Sequence, residues 1–350
     1  MSFYYFTPGP SQIEPNLEIY IAQALQSGIL STYHRSAAFH TLYAETLQLC
    51  QEKLDLPKDY TLYFFSSATE CWSVLSESIV KKRSVHICNG AFADKWKQYA
   101  AAIKPAQAVQ LRELEEQDFR LPCSDLFCIT LNETSNGSFF PFSYLEKLKA
   151  NHPEQLIALD VTSCLGGIEL PWDSGDFWFG SVQKCLGLPP GLALLFVSPR
   201  GVEKIQAAGE TGKYNSLYNV HKNYQHFETT HTPNILNIYL LKQILSSRAV
   251  IATISKQTYA WANRFYEMLA QNDTIHLLEK NALLQSPTLI ACQIDSAPKE
   301  KLTSLLLAHN IIIGNGYGQL QSSTFRIANF PQMPPEAKNI LLQLLYNFYI

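Results

Sequence analysis

Phe177-Trp178-Phe179-Gly180-Ser181-Val182-Gln183-Lys184-Cys185-Leu186-Gly187-Leu188-Pro189-Pro190-Gly191 runs from an apolar strand through a lysine into a glycine- and proline-rich turn. A near-continuous apolar strand is one buried on both faces of a sheet. A lysine between such a strand and such a turn has two readings. Either its amine is partly desolvated, which lowers its pKa and lets it attack a carbonyl, or its stem snorkels to water. Working outward, similar short runs recur at Leu62–Phe65, Val85–Cys88, Leu126–Ile129, Leu156–Leu159 and Leu192–Val197. Helix-like stretches at 41–54, 69–82, 92–103 and 142–151 accompany them. Buried strands alternating with helices predict an α/β fold, with a mostly parallel sheet flanked by helices.

The segment 234–272 carries Leu236, Tyr239, Leu240 and Ile244 at helical spacing,. Beyond it lie strand-like Thr288–Ile294, a helix at 298–309, Ile311–Ile313, Thr324–Ala328 and a last helix at 334–348. This mixture predicts a small C-terminal α/β domain. The 350 residues suit roughly two domains,. Charged residues are 16% and the net charge is −3, so no electrostatic footprint for nucleic acid or an anionic membrane is visible,. No apolar run is long enough to span a bilayer. Met1–Pro10 lacks a basic region followed by an apolar one, so no secretory leader is read there,. The eight cysteines form no CxxC pair and several sit in apolar runs, which predicts buried, reduced thiols and a cytoplasmic protein,. The nine histidines show no HxH or HxxxH spacing, so no metal site is expected,.

In open α/β sheets, ligands bind beyond the carboxyl ends of the strands. The residues that follow each run are therefore the candidates. Ser66-Ser67-Ala68-Thr69 opens a helix; small residues there let backbone N–H groups approach an anion, and an ordinary Ser67 or Thr69 cap explains them too. Phe92, after Asn89-Gly90-Ala91, either stacks on a planar ligand or is a core residue. Thr130–Gly137 is rich in hydroxyls and amides, as turns also are. Asp160 closes a buried run, where a carboxylate needs a cation or donors; a turn cap is the bland alternative. Together these strand ends offer an anion cradle, a flat stacking surface, an acid and a lysine. Pyridoxal phosphate needs that set.

Phe6-Thr7-Pro8-Gly9-Pro10-Ser11, His34-Arg35-Ser36 with Phe39, Asn132-Glu133-Thr134 through Gly137, Asp160 with Ser163, Gln183-Lys184 with Pro189-Pro190-Gly191, Thr232-Pro233 with Ile238-Tyr239, and Gly316-Tyr317-Gly318 with Thr324-Phe325-Arg326-Ile327 follow one another along the chain. In that order the chain resembles the fold-type I, class V pyridoxal-phosphate aminotransferases, over nearly its whole length. The resemblance is to the branch holding phosphoserine and serine–pyruvate/alanine–glyoxylate aminotransferases. It implies a large domain at 15–245 and a small domain built from 1–14 and 246–350. It implies that Lys184 is the Schiff-base lysine and proton shuttle, and that Asp160, with Ser163 nearby, faces the pyridine nitrogen. Phe92 would stack on the ring and Thr134 would bind a ring substituent. Ala68, Thr69 and Gln183 would hold the phosphate. His231 and Thr232 would reach the other subunit's phosphate, so the resemblance implies a homodimer with a shared site. Arg326 would hold the substrate α-carboxylate. Arg35, helped by His34, would hold a distal anion, and Thr7 would pack beside the site.

The resemblance thus implies a transaminase acting on amino acids and keto acids, with phosphoserine aminotransfer in serine biosynthesis first. Phe92 stands where tryptophan is usual, Ser66–Thr69 holds no cation, and Gln319–Ser323 is neutral. These departures keep a serine- or alanine-dependent pyruvate or glyoxylate aminotransferase as the alternative. A cysteine desulfurase needs a mobile nucleophilic thiol, and Cys292 lies in an apolar strand. A non-enzymatic relative would not need Lys184, Asp160 and Arg326 together.

Overall fold

The computed structural model describes residues 3–210 and 212–348. Met1 and Ser2, the head of the segment 1–14, lie outside the described residues. The strands are β1 (Tyr4–Phe6), β2 (Thr61–Phe65), β3 (Ser84–Cys88), β4 (Ala106–Gln110), β5 (Leu126–Thr130), β6 (Asn132–Glu133), β7 (Ser138–Phe139), β8 (Ile157–Asp160), β9 (Phe177–Ser181), β10 (Ala193–Val197), β11 (His276–Leu277), β12 (Leu289–Gln293), β13 (Ile311–Asn315) and β14 (Thr324–Ala328).

Seven strands form one sheet in the order β2-β10-β9-β8-β5-β3-β4. Along each strand the residues alternate between two cores, as the two-residue period requires. Ile87, Ile129, Leu159, Trp178 and Phe196 enter one core, while Cys128, Ala158, Phe179 and Leu195 enter the other. All the apolar runs read from the sequence are strands of this sheet. Pairing is parallel from β9 through β8, β5 and β3 to β4. β10 is antiparallel to both neighbours. Residues 182–192 between β9 and β10 are too few for the crossover a parallel pair needs, so the chain turns back through the lysine. β4 escapes the sequence reading because it is a mostly exposed edge strand with no apolar run.

Ser36 accepts a hydrogen bond from the Phe39 N–H (3.3 Å) and starts the second helix at Ala37 rather than at 41. The helix expected at 69–82 spans Ala68–Ser78; beyond it the Lys81 and Arg83 N–H groups go to the Asp125 carboxylate, each at 3.0 Å. The helices Ala91–Ala101 and Phe142–Asn151 stand close to expectation, whereas Pro199–Ala208 and Leu217–Tyr224 were not read. Segment 234–272 is two helices, Ile235–Ser247 and Ile251–Leu269, meeting at 85°. Among the described residues no single helix is long and apolar enough to cross a membrane.

A second sheet runs β1-β13-β14-β12-β11. The N-terminal strand therefore joins C-terminal strands, with Tyr4 opposite Ile311 and Phe6 opposite Ile313. Phe6, Ile290, Cys292, Phe325 and Ile327 share its core with Leu302 and Leu341 from two helices. All eight cysteines are free; seven are buried, and Cys123 is exposed, against the expectation for it.

Trp178 on β9 is fully buried, and its indole N–H donates to the Trp172 carbonyl at 3.2 Å. Trp178→Ala is expected to cost about 3–5 kcal/mol. Urea unfolding would read this as a lower midpoint at an unchanged slope; an unmoved midpoint would contradict the packing described.

Candidate active site

β8 and β9 are parallel neighbours, with Asp160 opposite Phe179. The two strands therefore end at one edge of the sheet and deliver an acid and an amine together. Asp160 ends β8 and is buried. Its Oδ2 accepts from the Trp72 indole N–H and its Oδ1 from the Thr162 N–H, both at 2.9 Å. Burial pushes the carboxyl pKa up, and those two donors and the nearby Lys184 charge oppose the rise. Lys184 stands in the turn after β9, and its Nζ donates to Ser163 Oγ at 2.8 Å. Desolvation holds the amine below the ordinary lysine range, against the pull of Asp160 and Glu133. An amine so placed loses its proton more readily than a surface lysine.

The helix Ala91–Ala101 begins at Gly90 and has no side-chain cap of its own. Glu133 caps it from a distance. Its Oε2 accepts from the Phe92 N–H (2.9 Å) and Ala93 N–H (3.1 Å), and its Oε1 from the Ser135 N–H (2.9 Å). Ser135 Oγ takes the Ala91 N–H at 3.0 Å. A Cβ on Gly90 would come within 2.3 Å of Glu133 Cγ, so only glycine admits the carboxylate. Burial raises the Glu133 pKa while these N–H donors hold it down. The result fixes Phe92, whose ring lies 5.6 Å from Lys184 Nζ.

Arg326, on β14 of the second sheet, reaches across. Its Nε donates to the Asn315 carbonyl (2.7 Å) and its Nη1 to the Thr134 carbonyl (3.0 Å). The guanidinium sits 5.7 Å from the Tyr317 ring, which packs in turn on Phe92 at 5.1 Å. Burial lowers the Arg326 pKa, yet an arginine stays charged at any working pH. Pro8-Gly9-Pro10 crosses the remaining side; a Cβ on Gly9, whose φ is +142°, would lie 3.0 Å from Lys184 Cε. These groups enclose a cleft of about 280 Å³.

The sequence pattern of the family described as Aminotransferase class-V matches residues 3–328. The chain belongs to the class-V aminotransferases. It is 22% identical to a phosphoserine aminotransferase of Rhodococcus opacus, over 95% of this chain and 91% of the relative. A crystal structure of a phosphoserine aminotransferase from Cytophaga hutchinsonii superposes with a TM-score of 0.92 at 30% identity, covering 98% of each chain. A pyridoxal-phosphate-bound phosphoserine aminotransferase from Trichomonas vaginalis shares the fold, with a TM-score of 0.82 at 16% identity over 98% of this chain and 99% of that one.

In this class-V aminotransferase the cleft gathers Ala68, Thr69, Phe92, Thr134, Asp160, Ser163, Gln183, Lys184 and Arg326 of the residues singled out in the sequence. Phe92 faces the cleft rather than being only a core residue. Ser67 is also the helix cap, accepting the Glu70 N–H at 3.1 Å, and the Ala68 N–H already donates to Ser181 Oγ at 2.8 Å. The remaining five do not line the cleft. Thr7 Oγ1 donates to the Pro10 carbonyl at 2.7 Å, within the roof. His34 Nδ1 lies 3.3 Å from Thr232 Oγ1. Arg35 pairs with Glu228 at 3.5 Å, and His40 meets the same carboxylate at 3.4 Å. His231 Nδ1 lies 3.3 Å from Thr230 Oγ1. Trp72, Lys95 and Tyr317 line the cleft without having been singled out for it. Helical spacing held a signal for two of them, since Trp72 is three residues beyond Thr69 and Lys95 three beyond Phe92.

The cofactor of this family is pyridoxal phosphate, and the cleft's donor set fits it. Thr130 Oγ1, Asn132 Nδ2 and Gln183 Oε1 are buried and carry no hydrogen bond within the protein, yet all three residues line the cleft. Buried polar atoms without partners are costly, and a polar ligand satisfies them. An acid, an amine, an aromatic face and a helix N-terminus surround the same space.

Glu133→Gln puts an amide N–H2 where N–H donors already point. Leaving a buried donor unpaired costs about 1–3 kcal/mol. The variant is therefore expected to melt lower and to release cofactor more readily, read by thermal denaturation and by visible absorbance after dialysis.

Proposed function

We propose that this class-V aminotransferase moves an amino group between glutamate and 3-phosphohydroxypyruvate, giving phosphoserine and 2-oxoglutarate for serine biosynthesis, as a cytoplasmic homodimer. The carrying observation is the convergence of Lys184, Asp160 and Arg326 on one cleft, with His34 and Arg35 held outside it. Bound in the cleft, pyridoxal phosphate supplies an electrophilic carbon and a ring that withdraws electrons. Asp160 holds a negative charge toward the ring nitrogen, and Trp72 and Thr162 keep that carboxylate still. Phe92 would present its face to the ring, and Thr134 would bind a ring substituent. Ala68, Thr69 and Gln183 would hold the phosphate, where a helix N-terminus favours an anion.

Arg326 draws in the substrate α-carboxylate by a charge-assisted pair. Two of its nitrogens are tied to backbone carbonyls, so the guanidinium meets the substrate already oriented. Lys184 Nζ, with its lowered proton affinity, would take the proton from the substrate α-carbon. Ser163 Oγ accepts from the amine when it is free of the cofactor. The Pro8–Pro10 roof limits water. His34, Arg35, His231 and Thr232 serve the partner's cleft: His231 and Thr232 meet its cofactor phosphate, and Arg35 binds the distal anion, displacing Glu228. The chain divides into 15–245 and a smaller part, 1–14 with 246–350, which brings the roof and Arg326 to the cleft. The neutral stretch Gln319–Ser323 favours a second reading, in which serine or alanine is the donor and pyruvate or glyoxylate the acceptor.

A visible absorbance titration separates the readings. Under the proposal, phosphoserine depletes the cofactor band at far lower concentration than serine does. A response to serine or alanine alone selects the second reading. Arg35→Ala is expected to raise the KM for phosphoserine roughly tenfold to a hundredfold, the range for losing a charged hydrogen-bond partner. Mixing Lys184→Ala with Arg35→Ala subunits then tests sharing. Shared sites give mixed dimers the wild-type KM for phosphoserine, because one of the two clefts has both residues. Self-contained sites keep the raised KM of Arg35→Ala in every mixed dimer.

A further inference from the structure

Residues 5–12 form a loop closed on itself. The Tyr5 N–H donates to Gln12 Oε1 at 3.0 Å, and the Gln12 N–H returns to the Tyr5 carbonyl at 3.3 Å. The tip of this loop is the roof of the cleft. Pro8 rests on Gly314, where a Cβ would come within 2.3 Å of its ring, and Gly9 covers Lys184 Cε. Beneath the neck of the loop, three segments far apart in sequence meet at the side chain of Gln332. Its Nε2 donates to the Gln12 carbonyl and to the Lys184 carbonyl, each at 2.7 Å. Gln332 is 8% exposed, and its Oε1 is buried without a hydrogen-bond partner. An apolar side chain of similar size would avoid burying that bare oxygen. The amide is held by the two bonds its nitrogen makes.

We propose that Gln332 is a positioning residue for Lys184, fixing the roof loop in register with the backbone of the lysine that the roof covers. The proposal rests on Lys184 being the amine that moves the substrate proton. Gln332 follows β14 by four residues, so the same amide couples the strand carrying Arg326 to the lysine turn. Glu14, whose N–H donates to the Gly187 carbonyl at 2.9 Å, supplies a second tether beyond the loop. Removing Gln332's bonds therefore frees the neck of the loop without detaching the N-terminal segment. The lysine amine must swing between Ser163 and the substrate α-carbon under the Gly9 contact, and small misplacement there is expensive in rate.

Two variants of the holoenzyme test this. Gln332→Leu keeps the bulk and loses both bonds. Gln332→Glu keeps the shape and donates only when protonated, a form that burial against two carbonyls favours as pH falls. The expected result for Gln332→Leu is an unchanged visible band and a modestly lower melting temperature, with faster amide exchange over residues 8–14. Its kcat falls roughly tenfold to a hundredfold, with KM little moved. Gln332→Glu shows the same defect at alkaline pH and recovers toward wild type, compared at each pH, as the solution is acidified. Wild-type kcat and loop exchange in either variant at alkaline pH, or a Gln332→Glu defect that ignores pH, overturns the proposal. If Gln332→Leu fails to fold, the pH series of Gln332→Glu decides alone. A wild-type protein that never acquires a visible band overturns the cofactor reading and takes the proposal with it. A normal band with unmoved kcat overturns the proposal only.

Discussion

A carboxylate closing a strand that is buried on both faces is the constraint from which the site follows. Asp160 cannot stay ionised there by itself, because desolvation favours its neutral form,. Two donors and a cation offset that preference. Each comes from a different element: Trp72 from the helix Ala68–Ser78, Thr162 from the turn beyond β8, and Lys184 from the turn beyond β9. Satisfying one acid thereby fixes a helix, a turn and the lysine relative to one another. The direction of β10 follows from the same geometry, since the chain must leave the lysine turn by the short way back.

Legibility in the sequence tracked this logic. Strands buried on both faces announce themselves as apolar runs, so β2, β3, β5, β8, β9 and β10 were all readable. β4 was not, because an edge strand with one buried residue carries no such signal. The residues at strand ends could be named because the fold class says where ligands bind. Residues that support them could not. Glu133 lies in a turn-like composition, and only the folded chain shows it capping a helix that starts more than forty residues earlier. Gln332 is one glutamine in a proline-rich stretch, and its two acceptors, Gln12 and Lys184, are distant in sequence. Long-range hydrogen bonds leave no periodicity behind.

The second sheet makes the site a joint construction. Arg326 lies on it but takes half its support from the Thr134 carbonyl of the first. The roof loop grows from β1, which pairs with β13, and closes over a lysine from the turn after β9. A rigid displacement of one sheet against the other would break the Arg326–Thr134 bond and shift Gly9 from Lys184. Arg326 and Lys184 are thus mechanically linked, although they come from separate sheets.

Charge distinguishes the cleft from the cluster outside it. Lys95, Lys184 and Arg326 line the cleft, and none of them makes an ion pair with a carboxylate among the described residues. Asp160 is the one carboxylate among the residues that line the cleft, which leaves an excess of basic groups facing the enclosed space. A partly enclosed space with an excess of one sign concentrates ligands of the other, and both the cofactor phosphate and a substrate carboxylate meet that description. The outer cluster is arranged differently. Arg35 is neutralised by Glu228 while half exposed, so its charge is available only to a ligand that competes with that carboxylate. A dianion does so better than a neutral side chain can. Under the proposed function, the outer arginine would discriminate between substrates by their distal charge, whereas Arg326 would hold the carboxylate that amino acids share.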